Sequence, residues 1–295
     1  MRRRPALSYF LLTFAISWGG ALLAIGGAGG MAGTTPASDP RFPYVMLAML
    51  AGPCISAIVM TALVHGRAGF RDLGVRLRTW RAPLRWYGVA LLTAPVLMIV
   101  TLLVLSLTSR AFVPGIVVAE DRAAILLAGI AVGVSAGFVE ELGWTGFAVP
   151  SLLMRHHVIA TGVLVGVPWG AWHLLPNFWS SEAAAADLPL PLYAASSVAG
   201  AIVGYLPAFR VLMVWVYERT GSLLIAMLMH ASFTTSLLVL NPIDLAGAPL
   251  AIYSFALAAA LWIVVAAVAA AQRREVPFRR YDAVTGLRGG SSAGR

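Results

Sequence analysis

Lysine is absent from this chain, and all 21 of its basic residues are arginine. Acid is scarce as well: 12 residues of 295 are Asp or Glu, and charged side chains make up only 11% of the sequence, against about 25% in a soluble domain. That deficit excludes a soluble globular protein, because a chain that is 60% hydrophobic has too little polar surface to clothe its exterior. The single cysteine, Cys54, excludes an intrachain disulfide, and its apolar neighbours mark it as a packing residue. No His-Glu-x-x-His zinc signature is present, and every aspartate falls in a loop or in the C-terminal tail, which argues against a pair of membrane aspartates. The net charge of +9 does not argue for a nucleic-acid partner. The arginines sit in short segments between apolar runs, where they act as topology signals and contacts for anionic lipid.

What the chain does have is long apolar runs. A crossing needs roughly 20 such residues, and eight candidates read out at 6–28, 43–65, 84–108, 123–153, 158–176, 191–216, 221–240 and 249–271. The expectation is an all-α, polytopic transmembrane helical bundle of about eight spans, with one membrane domain over 1–272 and a disordered cytoplasmic tail over 273–295. The first run, behind Met1–Arg4, is read as an uncleaved span rather than a signal peptide. The fourth run is too long for one upright helix, so it is expected to tilt, to break near Gly133 or Gly137, or to lie partly outside the bilayer. Residues 29–42 and 177–190, rich in Gly, Pro, Ser and Asp, read as loops. Eight spans put Arg2–Arg4, Arg67, Arg71, Arg76, Arg78, Arg81, Arg85, Arg155, Arg219 and the tail on one side, and only Arg41, Arg110 and Arg122 on the other. The positive-inside rule makes the first side, with both termini, cytoplasmic. Richness in Ala, Gly and Arg suggests a bacterial plasma membrane.

Against this apolar background one feature stands out: Glu140 and Glu141, adjacent, after the uncharged stretch Ile125–Val139. A charge at mid-membrane costs roughly 2.5–3.5 kcal/mol on insertion scales, so a pair of them is a functional-site hypothesis by default. Counted from the arginine-rich ends at 1.5 Å per residue, Glu140 lies about 20 Å deep, His173 about 22 Å and His230 about 14 Å, one layer within the error of the span ends. Thr234 shares a helix face with His230, as Trp169 does with His173. Glu140 and Glu141 point roughly 100° apart, which predicts separate jobs. Gly133 and Gly137, Gly162, Gly166 and Gly170, and Gly200 and Gly204 are small residues at close-packing spacing, expected to draw spans four, five and six together around the polar layer. Trp144, Trp169 and Trp172 read as packing or cavity-wall residues. Arg210 is read as pairing with Glu218 or snorkelling to lipid phosphate.

The residue types suggest hydrolysis. A Glu beside a His takes a proton from water and makes a nucleophile; a second His and a hydroxyl donate hydrogen bonds to a developing oxyanion. Alternatively, Glu140, His173 and His230 ligate a metal such as zinc, with a position open for water.

The same residues resemble the motifs of the CPBP family of intramembrane proteases, also called the Abi or CAAX-protease family. Its Glu-Glu-x-x-x-Arg motif reads Glu140-Glu141-Leu142-Gly143-Trp144-Thr145; its aromatic-x-x-x-His motif reads Trp169–His173; its third motif reads His230-Ala231-Ser232-Phe233-Thr234. Gly52-Pro53, taken as opening span two, and Tyr217–Ser222 also resemble the family's text. The resemblance implies that Glu140 with His173 activates water, that His230 and Thr234 stabilise the oxyanion, and that Glu141 supports them. Membrane-associated peptides or proteins would be the substrates, hydrolysed in a cavity expected to open to the cytoplasm. Thr145 replaces the motif arginine, so a salt bridge to a glutamate is expected to be missing; Thr234 replaces the common asparagine but keeps a donor. Two rivals stand beside this reading: a non-catalytic relative that binds membrane partners, and a proton- or cation-coupled transporter, which the lack of an internal repeat disfavours. Oligomeric state is not readable.

Overall fold

The computed structural model describes residues 4–31, 34 and 38–274, so the predicted disordered tail lies almost wholly outside the described residues. The described chain is all-α, with no strand. Eight of its helices are long and apolar enough to cross a membrane: Pro5–Ile25, Phe42–Val64, Leu84–Ser106, Arg122–Leu153, Val158–Trp179, Leu190–Thr220, Leu223–Leu240 and Gly247–Gln272, here the first to eighth spans. Hydropathy therefore located every crossing to within a few residues. It missed a ninth element. Gly66–Arg78 forms an amphipathic helix without a buried residue, rich in arginine, between the second and third spans. The segment 177–190, expected as loop, is partly helical, through Leu174–Trp179 and Ser181–Ala185.

The sixth and seventh spans form the centre. In their most apolar windows 67% and 61% of residues are buried, against 28% for the first, third, fourth and eighth. Glycines set the close approaches: the fifth span meets the sixth as expected, but the fourth and the sixth use their glycines on other partners. A Cβ at Gly137 would sit 2.6 Å from the Met227 carbonyl oxygen and one at Gly133 2.6 Å from that of Ala231, so the fourth span packs on the seventh. Gly162, Gly166 and Gly170 bring the fifth span against the sixth, at Val211, Pro207 and Ile202. Gly200 and Gly204 face Ser254 and Ala258 of the eighth span. Without apolar solvent exclusion to drive association in lipid, such backbone-to-backbone contact is what gains dispersion energy.

Prolines provide the second tie. A helical proline lacks an N–H and leaves the carbonyl four residues earlier without its donor. In apolar surroundings that carbonyl must be satisfied from elsewhere. Behind Pro53, the Met49 carbonyl accepts from Ser17 Oγ at 2.7 Å. Behind Pro95, Leu91 accepts from Ser232 Oγ at 2.8 Å. Behind Pro150, Gly146 accepts from Arg76 Nη1 at 3.0 Å, and behind Pro176, Trp172 accepts from Trp18 Nε1 at 3.0 Å. Each broken helix bond thus becomes a bond between elements. Gly52-Pro53 lies in the middle of the second span rather than at its start, with Gly52 pressed on Ser17.

The fourth span does break, but at neither glycine. It runs as an α-helix through Gly143 and then passes through a π-helical turn, Trp144–Ala148, before Val149–Leu153. The sixth span carries a longer π-helical stretch, Val198–Tyr205. Both irregularities adjoin the polar layer, as π-bulges often adjoin functional sites.

Loop contacts assign the two faces of the bundle. Trp179, ending the fifth span, donates to Thr34 in the first loop, and Gly115 in the third loop abuts the Asn241 carbonyl after the seventh span. On the opposite face, Ser222, which caps the seventh span by accepting from Ile225 N, also donates to the Thr79 carbonyl beyond the amphipathic helix. Among the described residues, that second face carries the arginine-rich segments.

Candidate active site

The five candidate residues come from three spans. Glu140 and Glu141 lie in the fourth span, His173 in the fifth, and His230 and Thr234 in the seventh. Glu140, His173, His230 and Thr234 line one cavity of about 690 Å³. Glu141 does not. It is fully buried on the next helix face, as its 100° offset from Glu140 predicted.

The two carboxylates are held differently. Glu140 Oε2 accepts from two indoles, Trp144 Nε1 at 3.3 Å and Trp169 Nε1 at 3.1 Å. These tryptophans are therefore more than packing. Glu141 accepts from Arg210 Nη1 at 2.8 Å on each oxygen, from the Thr145 hydroxyl, and from His230 Nδ1 at 2.6 Å. Arg210 is fully buried and stacks its guanidinium 4.2 Å from the Trp169 ring centroid. It pairs with neither Glu218 nor lipid, and the cation absent at position 145 is supplied from the sixth span. No local signal could have revealed this, because Glu141 and Arg210 are 69 residues apart.

Hydrogen bonds fix the imidazoles. A carboxylate that already accepts from Arg210 and Thr145 is an acceptor, so Nδ1 of His230 donates, and Nε2 is left 4.0 Å from Glu140 Oε2. His173 Nδ1 donates to the Trp169 carbonyl at 2.8 Å, which leaves Nε2 as its free lone pair. Edge-on aromatic contacts hold both rings, Trp169 against His230 at 5.2 Å and Trp172 against His173 at 4.8 Å between centroids. Ser135, in the sequence Gly133-Val134-Ser135 that the motif reading passed over, also lines the cavity. Its hydroxyl is engaged by the Ala131 carbonyl of its own helix at 2.8 Å.

Zinc was the cofactor the sequence left open, with Glu140, His173 and His230 as ligands. Among the described residues no group of three His, Cys, Asp or Glu side chains is arranged to hold a metal ion. Glu140 Oε2 is engaged by two indoles and His230 Nδ1 by Glu141, while each imidazole keeps its Nε2, the nitrogen that a ligating histidine offers.

The cavity was expected to open on the arginine-rich side; its lining extends toward the other face. Its walls are the first turns of the second span (Phe42, Met46), the middle of the fourth (Val132) and the ends of the fifth and seventh (Asn177, Leu238). All of these belong to the face away from the arginine-rich loops. Toward the arginine face, Tyr9, Trp144 and Phe147 close the layer, all at most 3% exposed, with ring centroids 5.5–5.6 Å from Tyr9. Gly143 makes that closure possible, since a Cβ there would meet Tyr9 Oη at 2.2 Å and the Pro53 carbonyl at 2.4 Å.

Residues 122–236 match the family model described as type II CAAX prenyl endopeptidase Rce1-like. The matched stretch runs from the start of the fourth span into the seventh and contains all five candidate residues. The match bears out the family resemblance read from the motifs and supports a CAAX-type intramembrane protease. No curated protein matches the chain. Eight membrane-length helices together with a membrane-protease family identify an integral, multi-pass membrane protein.

Proposed function

We propose that this chain is an intramembrane endopeptidase in which Glu140 and His173 activate a water for attack on a peptide bond. The observation that carries the reading is the convergence of Glu140, His173, His230 and Thr234 on one cavity, with Glu141 withdrawn behind it. In the proposed reaction the water oxygen adds to the carbonyl carbon as its proton passes to Glu140, with the free Nε2 of His173 polarising the same water. Charge then develops on the carbonyl oxygen. His230, its Nδ1 proton held by Glu141, donates from a protonated Nε2, and the Thr234 hydroxyl donates beside it. Collapse of the tetrahedral adduct breaks the C–N bond, and Glu140 returns its proton to the leaving amine. Arg210 acts as a positioning residue: it keeps Glu141 ionised and so keeps the His230 proton on Nδ1. No step is routed through a metal.

The substrate class is a membrane-associated peptide or protein in the bilayer, and the arginine asymmetry supports a plasma membrane with both termini, including the 273–295 tail, in the cytoplasm. Composition supports a bacterial source. The test is membrane peptidomics in the native host, wild type against Glu140→Gln at matched expression. Fragments present only with wild type are expected. Identical profiles, where Glu140→Gln rescues a deletion phenotype, overturn the reading in favour of a non-catalytic binder; pH-dependent flux without fragments does so in favour of a transporter.

A further inference from the structure

Three spans reach the arginine-rich face side by side and leave a groove between them. The third begins there at Leu84, the sixth ends there at Thr220 and the eighth at Gln272. The groove has a volume of about 470 Å³ and shares no lining residue with the cavity that holds Glu140.

Its lining is graded by depth. Arg85 and Val89 of the third span, Trp215 and Arg219 of the sixth, and Val268 and Gln272 of the eighth all face it, and each pair is four residues apart. Residues at that spacing share a helix face and lie about one turn, roughly 5.4 Å, apart along the axis. In every pair the polar member is the one nearer the end of its span. The groove is therefore polar at its rim and apolar or aromatic one turn deeper. Trp86, 8% exposed, and Trp215 fix the floor, edge-on with ring centroids 5.0 Å apart.

The rim carries charge of one sign. Among the described residues the lining holds two arginines and no acid; Glu218, next to Arg219 in sequence, is not part of it. Arg41, Arg76 and Arg210 each bind a carboxylate. Arg85 binds none among the described residues, and its guanidinium stands 5.6 Å from the Trp86 ring centroid, which holds it in place without cancelling its charge.

A ligand that fits this gradient carries an anion at one end and hydrocarbon below it. A phospholipid in the same leaflet has that order, with its phosphate at the interface, its glycerol at the level where tryptophans sit, and its acyl chains deeper. A zwitterionic headgroup would bring a further cation to a basic rim, and an anionic one would not.

We propose that this groove is a binding site for one anionic glycerophospholipid, with its phosphate on Arg85 and Arg219 and an acyl chain along Val89 and Val268. A lipid seated there ties the third and eighth spans to the sixth, the span that also carries Arg210. The test uses the purified full-length protein in a mild neutral detergent, titrated with dioleoyl phosphatidylglycerol and followed by native mass spectrometry. Arg85→Gln combined with Arg219→Gln should weaken binding by roughly 30-fold, the electrostatic worth of two arginines at a lipid surface. Arg67→Gln combined with Arg71→Gln removes the same charge outside the groove and should stay within about threefold of wild type at physiological salt. Ala267→Trp keeps both arginines but fills the groove, and should also lose the lipid; if the Arg85/Arg219 pair of substitutions fails to fold, this variant decides alone. Dioleoyl phosphatidylcholine should bind on the order of tenfold more weakly than phosphatidylglycerol, and excess inorganic phosphate should not displace the latter. Equal losses in the two arginine pairs, wild-type binding by Ala267→Trp, or equal affinity for the two lipids overturns the proposal. Displacement by inorganic phosphate overturns it in favour of a site for free anions.

Discussion

Glu140 and Glu141 are consecutive in sequence, yet they occupy unlike environments. Glu140 faces a cavity and is held by two neutral indole donors. Glu141 is sealed from any cavity and neutralised by a buried arginine, with two further donors on the same carboxylate. One carboxylate lines open space and the other holds neighbours in place. The pair teaches that a membrane carboxylate is not catalytic by depth alone; what matters is whether its charge has already been cancelled.

The sharpest way to test that contrast is to remove each charge. Glu140→Gln should lower cleavage by roughly 10²–10⁴-fold, the usual range for losing a general base. Its fold should survive, because the amide oxygen still accepts from both indoles; a peptide-release assay with a melting curve on the same sample checks both. Arg210→Met should do the reverse. Leaving Glu141 buried and unpaired costs about 3–5 kcal/mol, read as a large drop in thermal stability in detergent. Adding Glu141→Leu should recover most of that stability, since a matched apolar pair replaces the ion pair, but not cleavage, since His230 loses its Nδ1 acceptor. Recovery of both would break the distinction between the two glutamates. Thr145→Val removes one hydrogen bond to a charged group that keeps its other donors, and should cost near the low end of about 1.5–3 kcal/mol by thermal unfolding, with cleavage reduced less than by Glu140→Gln.

The smallest effect belongs to the Arg41–Asp39 pair at the arginine-poor face. Arg41 binds Asp39 through Nη2 and Nε and holds its carboxyl at about 2, below the ordinary 3.8. Folded chain therefore keeps Asp39 ionised after the unfolded chain has taken up its proton. Its contribution is complete above 3.8 and is lost as pH falls toward about 2. Asp39→Asn should lower unfolding temperature slightly at pH 6, by less than Thr145→Val, and the difference from wild type should vanish near pH 2.

Much of the site was legible from residue type and order. The motifs named Glu140, His173, His230 and Thr234, and a rise of 1.5 Å per residue put three of them in one layer before any fold was known. Trp144 and Trp169 were noticed only as bulk, because an indole donor matters only once an acceptor is seen opposite it. Arg210 was assigned a partner close in sequence, Glu218, when the bundle offered one across a helix interface. The glycines announced close packing correctly and the fifth–sixth contact with it, but not the partners of Gly133 and Gly137 or of Gly200 and Gly204. Spacing along one helix defines a face, not the helix that will fill it.

The sequence by itself determined the solvent this protein lives in and the number of its crossings, since about 20 apolar residues in a row have one stable environment. It also singled out the candidate site, because a carboxylate pair in such a run is too costly to be expected by chance. Only the tertiary structure decided that the fourth span meets the seventh, that Arg210 pairs with Glu141 and not with Glu140, and that the cavity lining lies toward the arginine-poor face. These depend on how helices are rotated and apposed. Lipid is as apolar as a helix surface, so hydropathy is silent on that choice, and contacts between residues distant in the chain make it.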